Sequence, residues 1–328
     1  MSSSEQLHDL AIIGAGPVGL YAAYYAGFRQ LTTVVLDALP EAGGQITAMY
    51  PEKEIHDVAG FPSIRGVDLV GELLKQAGRY DYDLRLGQTI ADLTALDDGR
   101  YQIDTCEGGQ FHARAILIAA GLGKFTPKSL QTAPDPLPRG VMHFVPKLSM
   151  LDDQIVVVVG GGDSAVDWAL AAVGRAVSTT IIHRRARFRA HEASVEEMKA
   201  KGVRVIAPGE IRRFNASSSI DSVVVEYPDG RTEELPCSAL VMALGFLTDL
   251  RLFDSWELER EGIHIRVGSD MQTSRERIYA AGDVSEYPGK VRLISVGFGE
   301  AAIAVNHVAA ALDPSQQIFP GHSTHEEH

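Results

Sequence analysis

The sequence contains one arrangement twice: a continuously apolar strand, a glycine turn and a small-residue helix. The first copy is "LAIIGAGPVGLYAAYYAGF" at 10–28, and the second is "IVVVVGGGDSAVDWALAAVG" at 155–174. Neither strand alternates polar and apolar residues, which is typical of a parallel strand buried on both faces. Each copy is completed later by an apolar strand that ends at a glycine, "AILIAAGLG" at 115–123 and "ALVMALGF" at 239–246. Because the unit occurs only twice, the sequence indicates two related α/β domains rather than a solenoid.

A third apolar strand with a glycine, "RIYAAGDV" at 277–284, has no module of its own. The simplest interpretation is that this strand returns to complete the first domain. The second module is then an insertion. We therefore predict a discontinuous domain of residues 1–123 and 247–328 and an inserted domain of residues 124–246.

The first turn, "GAGPVG", has the residues that a dinucleotide-binding loop needs. Gly14 permits the tight turn, Gly16 lets the backbone approach a pyrophosphate, and Gly19 lets the helix pack closely on the strand. Pro17 lies between these glycines at the expected helix start. Asp37 ends the next strand, 23 residues after Gly14, and its carboxylate can accept hydrogen bonds from both hydroxyls of an unphosphorylated ribose. A glycine-rich packing turn is the alternative, but strand, turn, helix, strand and acid occur here in order.

The strand that follows the second turn ends in positively charged residues instead of an acid. The predicted binding residues of this turn and strand are Gly160, Gly162, Asp163, Ser164, Ala165, His183, Arg184, Arg185 and Arg189. Guanidinium groups bind a ribose 2′-phosphate through bidentate, charge-assisted hydrogen bonds, whereas an acid would repel it. The alternative is that the arginines form a solvated surface patch, and Arg187 is not among the predicted ligands. The position of the cluster favours a preference for NADPH over NADH.

Two nucleotide sites of opposite ribose chemistry indicate electron transfer between two bound nucleotides. A nicotinamide delivers a hydride, and FAD can accept it and also carries a pyrophosphate. The predicted fold class is accordingly α/β, with two Rossmann-like, three-layer nucleotide-binding domains and the NADPH domain inserted into the FAD domain.

Composition excludes several other classes of protein. The formal charge of −13 disfavours a nucleic-acid or anionic-membrane partner. We expect no apolar run to reach the length of about 20 residues that spans a bilayer. The two cysteines, Cys106 and Cys237, are far apart in sequence, so neither a disulfide framework nor a cysteine metal site is indicated. A reducing, cytoplasmic compartment fits this usage.

Several motifs together resemble the thioredoxin-reductase-type flavoproteins. They are "GAGPVGL", "AGGQ" (42–45), "ILIAAG", "VVGGGDSAVDWAL", "HRR" and "YAAGD", in that order. The resemblance implies FAD on the first module, NADPH on the inserted one, and a homodimer. Thioredoxin reductases of this type carry a CxxC pair before the second glycine turn, but "GVMHFVPKLSMLDDQ" (140–154) contains no cysteine. Because a dithiol is required for disulfide exchange, electrons must leave the flavin directly. The chain is most similar to the ferredoxin–NADP⁺ reductases of this type, which share "MYPEKEIHDVAGFP" (49–62) and a C-terminal extension, here ending "PGHST".

The resemblance also implies roles for individual residues toward FAD. Asp37 would hold the adenosine ribose, although many relatives have the longer Glu. The other implied contacts are Gly44 and Gln45 beside the flavin, Tyr50 stacked on one ring face, main-chain atoms of Ile90 at the adenine, Phe125 near the flavin at the domain crossing, Asp283 at the ribityl chain, and His322, Ser323 and Thr324 over the other ring face, contributed by the partner subunit.

The implied reaction is hydride transfer from NADPH to flavin N5, followed by single-electron transfers to ferredoxin or flavodoxin. No protein residue need act as a nucleophile or general acid. The start of a helix after Gly297 or Gly299 is expected to stabilise negative charge on the reduced flavin.

The electron acceptor leaves alternatives open. Because ferredoxins are acidic like this chain, docking would require a local basic patch, for which "MKAKGVRV" and "IRRF" are the candidates. A thioredoxin-reductase-like NADPH oxidase or diaphorase without the CxxC pair is a second enzyme class. The third hypothesis is a non-catalytic, NADPH-sensing flavoprotein.

Overall fold

The computed structural model describes residues 6–249 and 251–321, with side chains except at 124–125, 247–249 and 251–252. The chain divides into two compact units. The first unit comprises Met1–Lys124 and Thr248–His328, and the second comprises Phe125–Leu247.

The first unit is built around a mixed sheet of seven strands, of which five are mutually parallel. Across the sheet, the strands are β5 (Asp83–Leu86), β2 (Thr33–Asp37), β1 (Leu7–Ile13), β8 (Gln110–Ile118), β7 (Tyr101–Thr105) and β6 (Ile90–Ala95), with β21 (Ile278–Ala280) paired to β8. The helices of this unit are α1 (Pro17–Phe28), α2 (Gln45–Met49), α3 (Gly66–Ala77) and α6 (Ile294–Leu312). Strand β21 therefore completes the first sheet from the far side of the insertion, as the sequence predicts.

Strand β1 is apolar throughout because both of its faces are buried. Leu10 and Ile12 point into a core shared with α1, α3 and α6. Ala11 and Ile13 point to the opposite core, which includes Trp256. Such a strand has no wet face, which is why its sequence shows no alternation.

The second unit repeats this design with a smaller sheet. Its parallel strands are, in order, β10 (Val141–Met142), β17 (Ala239–Met242), β11 (Ile155–Val159), β12 (Ser178–Ile182) and β13 (Arg204–Ile206). An antiparallel sheet of β14 (Glu210–Ala216), β15 (Ile220–Glu226) and β16 (Thr232–Pro236) covers one side, and the helices are α4 (Asp163–Ala172) and α5 (Glu192–Ala200). The predicted fold class, two Rossmann-like α/β units with one inserted into the other, is confirmed.

The remaining strands are short. They are the pair β3 (Glu54–Ile55) and β4 (Ile64–Arg65), the pair β9 (Lys124–Pro127) and β18 (Phe246–Asp249) at the two crossings, and the group β19 (Arg260–Glu261), β20 (His264–Arg266) and β22 (Ser285–Glu286).

Helix α6 corrects two expectations. It is the one helix of the described residues that is long and apolar enough to cross a membrane by length and composition, although no such segment was expected. Its buried face nevertheless packs in the core beside α1 and carries a charged residue, Glu300. The helix also begins at Ile294, so Gly297 and Gly299 lie within it, and its dipole does not start after either glycine.

Candidate functional site

The first glycine turn connects β1 to α1 through contacts that admit no side chain. Gly14 has a φ of +111°, and a Cβ there would lie 2.4 Å from the carbonyl oxygen of Ala119. A Cβ on Gly19 would lie 1.8 Å from the carbonyl oxygen of Gly14. The helix therefore starts directly against the turn, as a dinucleotide loop requires.

Gly16 differs from these two glycines because it faces open space. A Cβ at this position would meet no atom within 4 Å. Gly16 is the N-cap of α1, makes no side-chain cap hydrogen bond, and is followed by Pro17 in the first turn. Uncapped N–H groups and the positive end of the helix dipole favour an anion here. The open side of Gly16 thus fits the close approach of a pyrophosphate.

Asp37, at the end of β2, is hydrogen-bonded to this turn. One carboxylate oxygen accepts a hydrogen bond from the Ala15 N–H at 2.6 Å, and the other accepts one from the Leu39 N–H at 2.8 Å. Burial raises the pKa of this carboxyl group, and the two main-chain hydrogen bonds oppose that change. Each carboxylate oxygen can accept a further hydrogen bond. Asp37 can therefore organise the turn and still bind a ribose diol.

The "AGGQ" loop lies against the same turn. The Gly43 N–H donates to the carbonyl of Ala15 at 2.8 Å. Gly44 has a φ of +58°, and a Cβ there would lie 3.2 Å from the Cα of Gly16. Gln45 follows as the first residue of α2. The fold thus places Gly44 against the first glycine turn, with Gln45 next to it in the chain.

Tyr50 and Asp283 also come together, although they are distant in sequence. Tyr50 ends α2 and is half-buried. Burial raises the pKa of its phenol, and the neighbouring carboxylates of Asp283 and Asp57 raise it further. Asp283 lies in a 3₁₀ turn, Gly282–Val284, directly after β21.

Of the other predicted FAD contacts, the structure describes only Ile90 with its side chain. Ile90 begins β6 with its side chain in the core, so only its main chain could face a ligand. The side chain of Phe125 and the residues His322, Ser323 and Thr324 lie outside the described part of the chain.

The second glycine turn repeats the geometry of the first. A Cβ on Gly160 would lie 2.3 Å from the carbonyl oxygen of Ala243, whereas a Cβ on Gly162 would meet nothing within 4 Å. Gly162 is the N-cap of α4, again without a side-chain cap. Asp163 and Ser164 form the first turn of α4 with the buried Ala165. The open side of Gly162 therefore leaves room for a phosphate, as the open side of Gly16 does in the first turn.

His183 directly follows β12 and packs against this turn. It is 7% exposed, and its ring fills the space beside Gly161, where a Cβ would lie 2.3 Å from the imidazole. The ring stacks on Phe188 with centroids 5.3 Å apart, and burial lowers its pKa. The Arg189 N–H donates to the carbonyl of Gly161 at 2.7 Å. The segment after β12 is thus folded back onto the glycine turn.

The arginines that follow β12 carry unneutralised charge. Arg184, Arg185, Arg187 and Arg189 are exposed, and within residues 6–249 and 251–321 none of them forms an ion pair. Elsewhere on this acidic surface, exposed arginines such as Arg65 and Arg175 have a carboxylate partner. A solvated patch would be expected to follow that pattern. The free cluster beside the glycine turn fits a phosphate-binding role better.

The two segments proposed from the sequence as basic patches are largely neutralised. Lys199, Lys201 and Arg204 pair with Glu196, Glu197 and Glu233, and Arg212 pairs with Glu210 and Glu226. Only Arg213 of "IRRF" has no ion-pair partner among the described residues. These segments therefore do not supply the local positive patch that was expected of them.

The cysteines cannot act as a dithiol. Cys106 is exposed in the first unit, and Cys237 is buried in the second. The Cys237 thiol donates to the carbonyl of Ala239 at 3.3 Å, and burial raises its pKa to about 12. A thiol with that pKa is neither a nucleophile nor a metal ligand near neutral pH.

Sequence reasoning missed a pair of buried charges beside Asp283. The side chains of Lys290 and Glu300 form an ion pair and are 1% and 3% exposed. Glu300 is the only acidic residue in the apolar segment that forms α6. An isolated acid in such a segment was the available signal, because a buried charge requires a partner.

The chain matches a known protein family over most of its length. Residues 8–307 match the family model described as pyridine nucleotide-disulphide oxidoreductase. The chain belongs to this family of oxidoreductases.

The names of two relatives are more specific than the description of the family. A ferredoxin–NADP reductase of Saccharopolyspora erythraea is 52% identical over 96% of this chain and 97% of its own. One from Salinispora arenicola is 49% identical over 96% of this chain and 98% of its own. Among solved structures, the thioredoxin reductase of T. acidophilum superposes with a TM-score of 0.78 at 24% identity, covering 95% of this chain and all of that one. This structural likeness shows the fold alone.

Proposed function

We propose that this protein is a ferredoxin–NADP reductase that uses FAD and NADP(H). The first unit binds FAD, and the second binds NADP(H). The observation that carries the proposal is the contrast between two equivalent positions: a carboxylate, Asp37, ends β2, whereas the free arginines beginning at Arg184 follow β12. The two relatives that are about half identical along nearly the whole chain support ferredoxin as the redox partner.

FAD, when bound, accepts a hydride from NADPH and can release its electrons one at a time. The chain's own residues bind and orient the two nucleotides. Gly16 and Gly162 admit the phosphates to the uncapped starts of α1 and α4. Asp37 selects a ribose diol. Arg184, Arg185 and Arg189 select the 2′-phosphate, while His183 keeps the turn in place.

The flavin environment follows from the same elements. Gln45 and Gly44 lie beside the pyrophosphate turn, and Tyr50 and Asp283 lie near each other at the end of α2. We propose that Tyr50 packs on the isoalloxazine ring, that Asp283 binds the ribityl chain, and that Ile90 offers main-chain atoms to the adenine. Phe125, His322, Ser323 and Thr324 remain predicted contacts, with the tail supplied by a second subunit.

The acceptor is tested by steady-state oxidation of NADPH with purified ferredoxin or thioredoxin. We expect ferredoxin to accelerate turnover and thioredoxin to leave it at the rate with oxygen alone. Equal rates with oxygen alone and with ferredoxin would instead indicate an NADPH oxidase. Lack of turnover with any acceptor, including an artificial dye, would indicate a sensing flavoprotein.

Removal of both cysteines is expected to leave ferredoxin reduction within about twofold of wild type. Cys106→Ala changes an exposed side chain, and Cys237→Ala removes one buried sulfur, which costs about 1 kcal/mol of stability. The measurement is kcat with ferredoxin, with the melting temperature as a control for folding. Loss of most of the activity in a folded double variant would show that electrons pass through sulfur.

Ferredoxins are acidic, so we propose that ferredoxin docks on a positive surface other than the two neutralised segments and that its association rate falls as salt concentration rises. A flat salt response would argue for a different acceptor. We also propose that the enzyme is a homodimer, as the resemblance to the thioredoxin-reductase-type flavoproteins implies, and that it works in the cytoplasm, in line with two free cysteines. Sedimentation of the purified holoprotein tests the dimer.

A further inference from the structure

The buried pair Lys290–Glu300 holds the turn that carries Asp283. One Glu300 oxygen, Oε2, accepts a hydrogen bond from the Gly282 N–H at 2.7 Å. The other, Oε1, accepts hydrogen bonds from the Tyr287 hydroxyl at 2.6 Å and from the Lys290 ammonium. Glu300 therefore joins α6 to the start of the turn and to the loop that follows it.

The network also closes around the turn from its other side. The Lys290 ammonium donates to the Ser285 hydroxyl at 3.1 Å, and that hydroxyl donates to the carbonyl of Gly282 at 2.8 Å. Both main-chain groups of Gly282 are thus bonded to the network. The next carbonyl, that of Asp283, accepts a hydrogen bond from Nδ1 of His264 at 2.9 Å.

The carboxylate of Asp283 is left uncommitted by this arrangement. Its carbonyl is bonded to His264 and both main-chain groups of the preceding Gly282 are bonded to the network, but its side chain makes no hydrogen bond with any residue in the described ranges. The turn also lies close to the first glycine turn, because a Cβ on Gly297 of α6 would be 2.5 Å from Val18 of α1 and 3.4 Å from the Cα of Gly282. The network thus fixes a free carboxylate beside the start of α1.

We infer that Glu300 and Lys290 are positioning residues, which lock the Gly282–Asp283 turn so that Asp283 is presented to FAD before the cofactor binds. The inference rests on the proposed FAD site in the first unit, but not on the identity of the electron acceptor. A rigid, preformed turn lowers the entropic cost of binding. A buried ion pair is a poor source of stability compared with apolar packing, so a positioning role accounts better for its presence here.

Glu300→Gln tests the network with almost no change in shape. If the new amide oxygen accepts from Gly282, the amide nitrogen faces Tyr287, whose hydroxyl can turn to accept, and Lys290, whose ammonium can only donate and is therefore opposed. If the amide is reversed, its nitrogen faces the Gly282 N–H. Either orientation loses a hydrogen bond that involves a charged group, so FAD binding is expected to weaken about 10- to 100-fold.

Two double variants separate positioning from stability. In Lys290→Met with Glu300→Gln, the amide oxygen can accept from Gly282 and the amide nitrogen can donate to the Tyr287 oxygen. In Lys290→Met with Glu300→Met, the site is equally neutral but Gly282 has no acceptor. We expect the first pair to restore FAD affinity to within about threefold of wild type and the second to remain at least about tenfold weaker. Tyr287→Phe is the single-bond control, which keeps the contact between Glu300 and Gly282 and should weaken FAD binding only slightly.

The measurements are the FAD dissociation constant, the melting temperature and hydrogen exchange of the peptide that contains Gly282. We expect slow exchange of the Gly282 amide in wild type and in the Met–Gln pair, and fast exchange in the Met–Met pair. Equal FAD affinity and equal exchange in the two pairs would overturn the inference. Wild-type protein that binds no FAD would instead overturn the proposed function, so the two failures are distinguishable.

Discussion

Replacement of Gly16 by valine is expected to give a folded protein that no longer retains FAD. The φ and ψ of Gly16, −70° and −179°, are extended values that any residue adopts, and the space beyond its Cα is open. A valine side chain would fill that space and keep a pyrophosphate from the N–H groups of α1. Loss of two charge-assisted hydrogen bonds, at about 1.5–3 kcal/mol each, predicts a decrease in FAD affinity of at least about 100-fold.

The matched control is the equivalent change in the second turn. Gly162→Val should retain FAD with wild-type affinity and lose NADPH, because Gly162 is equally open and belongs to the other unit. Flavin content after purification, a titration with FAD and the melting temperature are the measurements. A Gly16→Val protein that purifies with a full complement of FAD would contradict the assignment of the first turn.

Replacement of Arg184 and Arg185 by alanine is expected to abolish the preference for NADPH. Each guanidinium that binds the 2′-phosphate contributes about 1.5–3 kcal/mol. Because both side chains are exposed, the lower value applies, and the KM for NADPH should rise about 100-fold for the pair. The KM for NADH, which has no 2′-phosphate, should change by less than about twofold.

Arg175→Ala is the control for a general loss of positive charge. Arg175 is also exposed and lies in the same unit, but it follows the C-terminal end of α4. Since α4 is about 15 Å long, this arginine is remote from the glycine turn at the other end. A parallel rise in the KM for NADH in the double variant, or an equal effect of Arg175→Ala, would show that the arginines are a solvated patch.

The two nucleotide turns were predictable because each is determined by adjacent residues. Gly14 and Gly160 directly follow their own strands, β1 and β11, and the next strand of each unit ends at Asp37 or shortly before Arg184. The return of β21 to the first unit could also be predicted, because an apolar strand without a module of its own must be buried in an existing sheet, whereas its pairing with β8 is seen only in the structure.

The network around Asp283 could not be predicted, because it depends on contacts between segments that only the fold brings together. Glu300 was visible as a lone acid in α6, but its partner Lys290 precedes the helix in a loop with no periodic pattern. The helix start was misplaced for a related reason. Gly297 and Gly299 suggested a boundary, whereas Gly297 is needed inside the helix for close contact with Val18 of α1.

The central claim is that electrons pass from NADPH to a bound flavin and then directly to ferredoxin. It is tested most directly by anaerobic mixing of the yellow holoprotein with one equivalent of NADPH, followed by oxidised ferredoxin. We predict that NADPH bleaches the visible flavin band, that NADH does so far more slowly, and that ferredoxin restores the band in wild type and in the cysteine-free variant alike. A flavin band that does not respond to NADPH, or that ferredoxin cannot restore, would contradict the account.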